Sequence, residues 1–459
     1  MTKNDLIQLT ITDLNNLGSG VGHTEDGMTV FIPGAVTGDL VSARVIKVTK
    51  TYLVAKLESV LAPSPHRKGS DCGAALSCGG CVYRHVNYEY EKECKQNYVA
   101  SAFRKAGLQQ VRVGKLQSTG ALAGYRNKAQ YPVGKDRNGK LFAGFFAANT
   151  HRVIPISDCR LTPPLFGEIC REVLALCDSY SVTAYDEQTG KGLLRHLYLR
   201  QNTAGEVMLC LVVNGKTLPH EQELAGGICK RFPQIVSLYL NVNRQNTNVI
   251  LGEEYRLLAG KPYLEDTLCG KRFRISPQSF YQVNHDACEL LYGIAKEKAD
   301  LRGGERLIDL YCGIGTIGLS MIDRAKSLVG VEIVPEAVEC AKENAALNNI
   351  ANATFLCADL SENEPMLARV AKETGGDFSD SVVILDPPRK GTTRALIEEI
   401  AQNRVPKVVY ISCNPDTLAR DCAIFKENGY QIGEVTPVDL FPRTGHVESV
   451  VLLTLKNQK

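Results

Sequence analysis

Asp309-Leu-Tyr-Cys-Gly-Ile-Gly-Thr-Ile-Gly-Leu319 decides the fold of this chain. It ends an apolar run, Arg306–Tyr311, and opens a helical pattern, so it reads as a strand–loop–helix junction. Gly313, Gly315 and Gly318 fit G-x-G-x-x-G, where missing side chains let a ligand approach the backbone at a helix start. Glu332 closes the next apolar run, Ser327–Glu332, 23 residues after Asp309. An acid at that place can accept both hydroxyls of a ribose. Loop, strand and acid together point to an adenosine-type ligand, with a tight structural turn as the plainer alternative. Further strands are expected at Ala353–Asp359, Ser381–Leu385, Lys407–Ser412, Tyr430–Leu440 and Val447–Leu453, with helical patterns between most of them. Seven strands in this rhythm predict a doubly wound, Rossmann-like α/β domain over 271–459.

In such a sheet, ligands sit beyond the strands' carboxyl ends. Two of those ends carry chemistry: Asp386-Pro-Pro-Arg389-Lys-Gly391 and Ile411-Ser-Cys413-Asn-Pro415. A cysteine at a strand exit is placed for nucleophilic attack, although cysteine is more often a packing residue. Phe441-Pro-Arg-Thr-Gly-His446-Val-Glu448 follows. If the last strand runs antiparallel, Glu448 faces the crevice that holds Cys413 and Asp386.

Upstream, residues 1–61 show about five short strands with Gly-rich punctuation, the pattern of a small closed, OB-like barrel. Leu61-Ala-Pro-Ser-Pro65 reads as a stiff linker. Residues 62–270 read as a central α+β region. It has a helix over Glu89–Ala106 and hairpins at Leu193–Arg200/Glu206–Val213, Ile235–Val242/Asn246–Leu251 and Tyr263–Ile275.

The formal net charge of +3 is an average over unlike parts. Residues 1–40 carry one Lys or Arg against five acids; residues 41–160 carry twenty against seven. That basic stretch, interleaved with Tyr83, Tyr88, Tyr90, Tyr98, Tyr125 and Tyr131, predicts a surface for looped or single-stranded RNA. Within it, Cys72, Cys78 and Cys81, with the distant Cys159, could ligate iron–sulfur or zinc. The amino end lacks the apolar core of a secretory signal and no run reaches membrane-spanning length, so a cytoplasmic location with reduced cysteines is expected.

Asp-Pro-Pro resembles the acid/amide-Pro-Pro turn of S-adenosylmethionine-dependent nucleic-acid methyltransferases, but Arg389 stands where amine methylators place an aromatic ring. Five motifs in order carry a closer resemblance: Ser276-Pro-Gln-Ser-Phe-Tyr-Gln282-Val-Asn284, Asp309–Gly315, Asp386–Gly391, Ile411–Pro415 and His446-Val-Glu448. Residues 280–459 thereby resemble the RNA uracil-C5 methyltransferases, and residues 1–61 resemble the TRAM domain many of them carry. The resemblance implies Cys413 as nucleophile and Glu448 as the base that removes the C5 proton. It implies Gln282, Tyr311, Glu332 and Asp386 as cofactor contacts, Asp359 as an adenine contact, and Cys72, Cys78, Cys81 and Cys159 as 4Fe–4S ligands. TRAM domain plus cysteine cluster resembles the branch acting on 23S ribosomal RNA. A tRNA T-loop uridine, a non-catalytic RNA-binding or ribosome-assembly factor, and a dehydrogenase are the alternatives.

Overall fold

The computed structural model describes residues 1–456 apart from Leu76, Asn149, Ser157, 361–364 and Gly376. The amino end forms five strands, β1 (Leu6–Leu14), β2 (Ser19–His23), β3 (Thr29–Pro33), β4 (Leu40–Val48) and β5 (Tyr52–Ala62). They close into a barrel in the order β1-β2-β3-β5-β4. Alternate residues point inward, and Ile11, Val30, Ile32, Val41, Val45 and Leu53 fill the barrel. Helix α1 (Tyr88–Lys105) starts where the Asn87 side chain accepts the Tyr90 N–H, and stops before Gly107 at φ 75°.

A seven-stranded sheet follows, ordered β12-β11-β10-β9-β6-β7-β8. Its elements are β6 (Lys128–Lys135), β7 (Leu141–Phe146), β8 (Val153–Pro155), α2 (Pro164–Ser179), β9 (Leu194–Gln201), β10 (Val207–Val213), α3 (Glu221–Arg231), β11 (Ile235–Val242) and β12 (Glu254–Gly260). The β9–β10 hairpin is as the sequence predicts. The expected partner of β11 is not: Asn246–Leu251 forms no strand, and Glu254–Gly260 pairs instead. Asn243 causes the shift. Its side-chain amide donates to the Val249 and Ile250 carbonyls at 2.7 and 2.9 Å, which holds that stretch as a loop. A separate hairpin, β13 (Leu264–Leu268) and β14 (Lys271–Ile275), turns through Cys269 and Gly270, both at positive φ.

The last part comprises α4 (His285–Ala299), β15 (Arg306–Leu310), α5 (Thr316–Met321), β16 (Ser327–Glu332), α6 (Pro335–Leu347), β17 (Ala353–Cys357), α7 (Met366–Thr374), β18 (Ser381–Leu385), α8 (Arg394–Gln402), β19 (Lys407–Ser412), α9 (Pro415–Glu427), β20 (Tyr430–Ile432), β21 (Thr436–Val438) and β22 (Glu448–Leu455). The order is β17-β16-β15-β18-β19-β22-β20, with β21 also pairing β22. The sheet therefore has eight strands rather than seven. Tyr430–Leu440 splits at Gly433, which sits so close to the Leu452 carbonyl that a Cβ would lie 3.0 Å from it. β15 to β19 run parallel and β22 antiparallel. Strands buried on both faces explain the unbroken apolar runs Val382–Leu385 and Val408–Ile411. On one face pack Leu291, Ala295, Ile317 and Val338; on the other, Leu367, Ile397, Leu418 and Phe425. Helix α1, far upstream, joins this second layer through Val99, Ala102 and Phe103.

Candidate active site

Gly313 and Gly315 take φ 55° and 85°, which turns the chain tightly from β15 into α5. The turn is braced at both ends. The Gly318 N–H donates to Asp309 Oδ2 at 2.8 Å, and the Gly313 N–H donates to Glu332 Oε2 at 3.0 Å. Glu332 Oε1 accepts from Ile333 and Val334, so the carboxylate is fixed at the mouth of β16. Asp309 is fully buried, its Oδ1 has no hydrogen-bond partner, and burial pushes its carboxyl up to about 7. Tyr311, at φ 71°, shares a 2.9 Å hydrogen bond with Thr392. Asp359, two residues past β17, lies close enough to Tyr311 to act on its phenol electrostatically. Gln282 is buried, and its carbonyl accepts from the Asn127 amide. Glycine cradle, fixed acid and unsatisfied buried carboxyl suit an adenosine-bearing cofactor.

The second cluster follows from strand direction. β19 and β22 are antiparallel, and their last paired rung is Ser412 with Ser449. One step further in the same register places Cys413 opposite Glu448. Asp386 lies one position past β18 on the same edge. The groups sense one another. Burial first, then the Glu448 and Asp386 charges, push the Cys413 thiol up to about 11, while Arg389 pulls it down. Burial and then Asp386 raise Glu448 to about 8, again against Arg389. Burial alone raises Asp386 to about 7. Arg389 is thus the local countercharge, a part that reading the sequence did not assign. Its only signal was its place just after Asp-Pro-Pro. Asn414 and Thr417 donate to its carbonyl.

The four cysteines also come together. Cys72, Cys78, Cys81 and Cys159 line one cavity of about 730 Å³, with Arg84, Arg126, Thr444 and His446 on its walls. Burial pushes the Cys81 thiol up to about 11, with neighbouring sulfurs adding to the rise and Arg84 opposing it. Among the described residues, no three His, Cys, Asp or Glu side chains stand as a ready metal-ion site.

The expected basic, aromatic stretch divides between interior and surface. Arg84, Lys95, Tyr83, Tyr125 and Tyr131 are buried, and Arg67 is spent on Asp39. Most cations of residues 41–160 are nonetheless exposed, among them Lys47, Lys50, Arg104, Lys105, Arg112, Lys115, Lys135, Arg137, Lys140 and Arg152. Lys68, Lys92, Arg126 and Lys128 are half-buried.

A parallel sheet with a glycine loop after its first strand, an acid after its second and Asp-Pro-Pro after its fourth defines a nucleotide-cofactor methyltransferase. Comparison with known proteins agrees. Residues 88–456 match the family profile described as tRNA (Uracil-5-)-methyltransferase, and residues 2–57 match the TRAM domain. An uncharacterized RNA methyltransferase of Halalkalibacterium halodurans is 40% identical over 100% of this chain and 98% of its own. One from Listeria innocua is 41% identical over 99% of each. Among solved structures, the Pyrococcus abyssi tRNA (uracil-54, C5)-methyltransferase bound to S-adenosyl-L-homocysteine superposes with TM-score 0.76 at 25% identity, covering 98% of this chain and 100% of that one. The chain belongs to the tRNA (uracil-5-)-methyltransferase family and is an S-adenosylmethionine-dependent RNA (uracil-C5-)-methyltransferase with an amino-terminal TRAM domain.

Proposed function

We propose that this enzyme converts uridine in 23S ribosomal RNA to 5-methyluridine through a covalent adduct on Cys413. The observation that carries this reading is the antiparallel register that sets Cys413 opposite Glu448 at the sheet edge holding Asp386. Uracil C5 is a poor nucleophile until a thiolate adds to C6 and leaves C5 an enolate carbon. Cys413 supplies that thiolate, and Arg389 stabilises it. Bound S-adenosylmethionine supplies an electrophilic methyl group. Glu448 then takes the C5 proton, the C5–H electrons form the C5–C6 double bond, and the C6–sulfur bond breaks to free Cys413. Gln282, Tyr311, Glu332, Asp386 and Asp359 hold the cofactor, and the target base leaves its stack to enter the edge.

Residues 1–61, 62–270 and 271–459 are proposed as RNA-binding barrel, substrate-facing centre and catalytic domain of a cytoplasmic enzyme. Among the described residues, no helix is long and apolar enough to cross a membrane. Cys72, Cys78, Cys81 and Cys159 would hold a 4Fe–4S cluster, or zinc. The cavity that all four line supports a shared occupant, and a metal ion there would favour thiolate. Iron and zinc assay of the purified protein separates the two.

A second substrate, tRNA uridine, is favoured by the similarity to the Pyrococcus enzyme. Methyl-labelled cofactor with unmodified 23S and tRNA transcripts decides between them. Label in 23S RNA alone is expected; label in tRNA alone would transfer the assignment, and undiminished label with Cys413→Ala would sink the mechanism.

A further inference from the structure

Lys95 and Arg443 are long cations buried to within 1 and 2% of full exclusion, and both pair with buried carboxylates. Both serve one short stretch, the loop 439–447 that joins β21 to β22. Its two ends face each other, because Val438 is the cross-strand partner of Glu448. Whatever holds Asp439 therefore holds the residue next to that rung.

Helix α1 does so. Lys95 Nζ donates to Asp439 Oδ1 at 2.8 Å, to the Phe441 carbonyl at 3.1 Å and to Glu91 Oε1 at 2.9 Å. The Tyr88 hydroxyl donates to Asp439 Oδ2 at 2.9 Å. Arg443 donates its backbone N–H to Glu91 Oε1 at 2.6 Å, and its guanidinium to Glu91 Oε2 and the Val86 carbonyl. Its own carbonyl accepts from both Val82 and Tyr83, just past Cys81. Two carboxylates and two cations balance, so the quartet adds no net charge to the interior. Arg443 is held at φ 73°, a left-handed conformation that a residue other than glycine keeps only when its surroundings impose it.

The anchoring is selective. Cys413 hangs from β19, whose neighbours are β18 and β22, and Asp386 follows β18; the quartet bonds to neither strand. Glu448 and His446, at the loop's far end, depend on the fold of the loop.

Building on the reading of Glu448 as base, we propose that Glu91, Lys95, Asp439 and Arg443 are positioning residues. They set Glu448 for proton removal, and their loss slows release from the methylated adduct more than methyl transfer itself. Misplacement of a catalytic group by about 1 Å costs on the order of 100-fold, so kcat falls and, because the slowed step follows irreversible methyl transfer, the KM values fall with it while kcat/KM stays within about twofold.

The test uses the full-length enzyme and the transcript that accepts label, prepared with uridine or with uridine deuterated at C5. Lys95→Met removes the central cation; Asp439→Asn keeps the side chain's size and removes its charge. Both are expected to accumulate RNA-linked protein on denaturing gels, and to show a primary deuterium isotope effect on turnover larger than the parent's. If Lys95→Met does not fold, Asp439→Asn alone decides. Equal slowing of methyl transfer and release, or no change in either, overturns the proposal. Glu448→Gln is run beside them. Should it release product at the parental rate, the base reading fails; should it alone accumulate adduct, only the positioning proposal falls.

Discussion

Arg389 Nη2 stands 3.4 Å from His446 Nε2, joining the turn after β18 to the loop before β22 across the catalytic edge. The same guanidinium lowers both Cys413 and Glu448, while it and burial keep His446 below its ordinary range. One residue thus favours the charged forms of Cys413 and Glu448 together and the neutral form of the histidine.

Arg389→Met should raise the Cys413 thiol further above about 11 and slow adduct formation at pH 7.5. Below a thiol's pKa, each unit of rise lowers the thiolate fraction tenfold. A loss of about 10-fold is the expected outcome of single-turnover rates, constant between pH 7 and 9.5, a range below the thiol's pKa in both enzymes, and shrinking only as the pH nears about 11. A loss that persists undiminished at about pH 11 and above would assign Arg389 a purely steric part.

Glu448 carries a stability signature of its own. Its folded pKa, about 8, lies above the ordinary 4.5, so its contribution to folding is full below pH 4.5 and is lost as the pH rises toward 8. Glu448→Gln does not titrate. The melting temperature of Glu448→Gln minus that of the parent should therefore grow from pH 5 to 8, by on the order of a few degrees, in paired thermal melts. A flat difference would mean the carboxyl is ionised in the folded enzyme throughout.

Glu332→Gln should weaken cofactor binding. Glu332 already accepts three backbone N–H groups, and a charged acceptor facing a ribose contributes about 1.5–3 kcal/mol. Calorimetry with S-adenosyl-L-homocysteine should show a Kd raised about 10- to 100-fold, with the melting temperature of the free protein lowered only slightly.

Gly445→Ala should uncouple the barrel from the catalytic loop. A Cβ there would lie 1.9 Å from the Asn16 carbonyl oxygen, so backbone must move. Overpacking of this kind costs about 1–3 kcal/mol. Faster amide exchange over 14–20 and 441–447 is expected by mass spectrometry, together with lower activity. Unchanged exchange in both segments would show that the loop absorbs the methyl group alone.

The catalytic half was legible because its signals are local. Strand, glycine loop and acid lie within 27 residues, 306–332, and Cys413 follows and Glu448 begins strands whose apolar runs announce them. What escaped was long-range. Lys95 reads as a surface cation because nothing near it in the sequence shows Asp439, its buried partner 344 residues on. The strand after β11 was misplaced because a single asparagine amide, rather than a hydrophobic pattern, holds the intervening loop. The split at Gly433 turns on one backbone contact that strand periodicity does not register.

The position of β22 has a consequence for biosynthesis. This strand, nearest the carboxyl end, lies inside the sheet, between β19 and β20, and it begins with Glu448. A ribosome must deliver nearly the whole chain before β19 and β20 gain their shared neighbour. Until then both expose unpaired edges, and the nascent polypeptide, already furnished with Cys413 and its glycine loop, has no group opposite the thiol. Prematurely terminated chains would thus be inert toward RNA and prone to self-association. Closure of the sheet by β22 and acquisition of activity coincide.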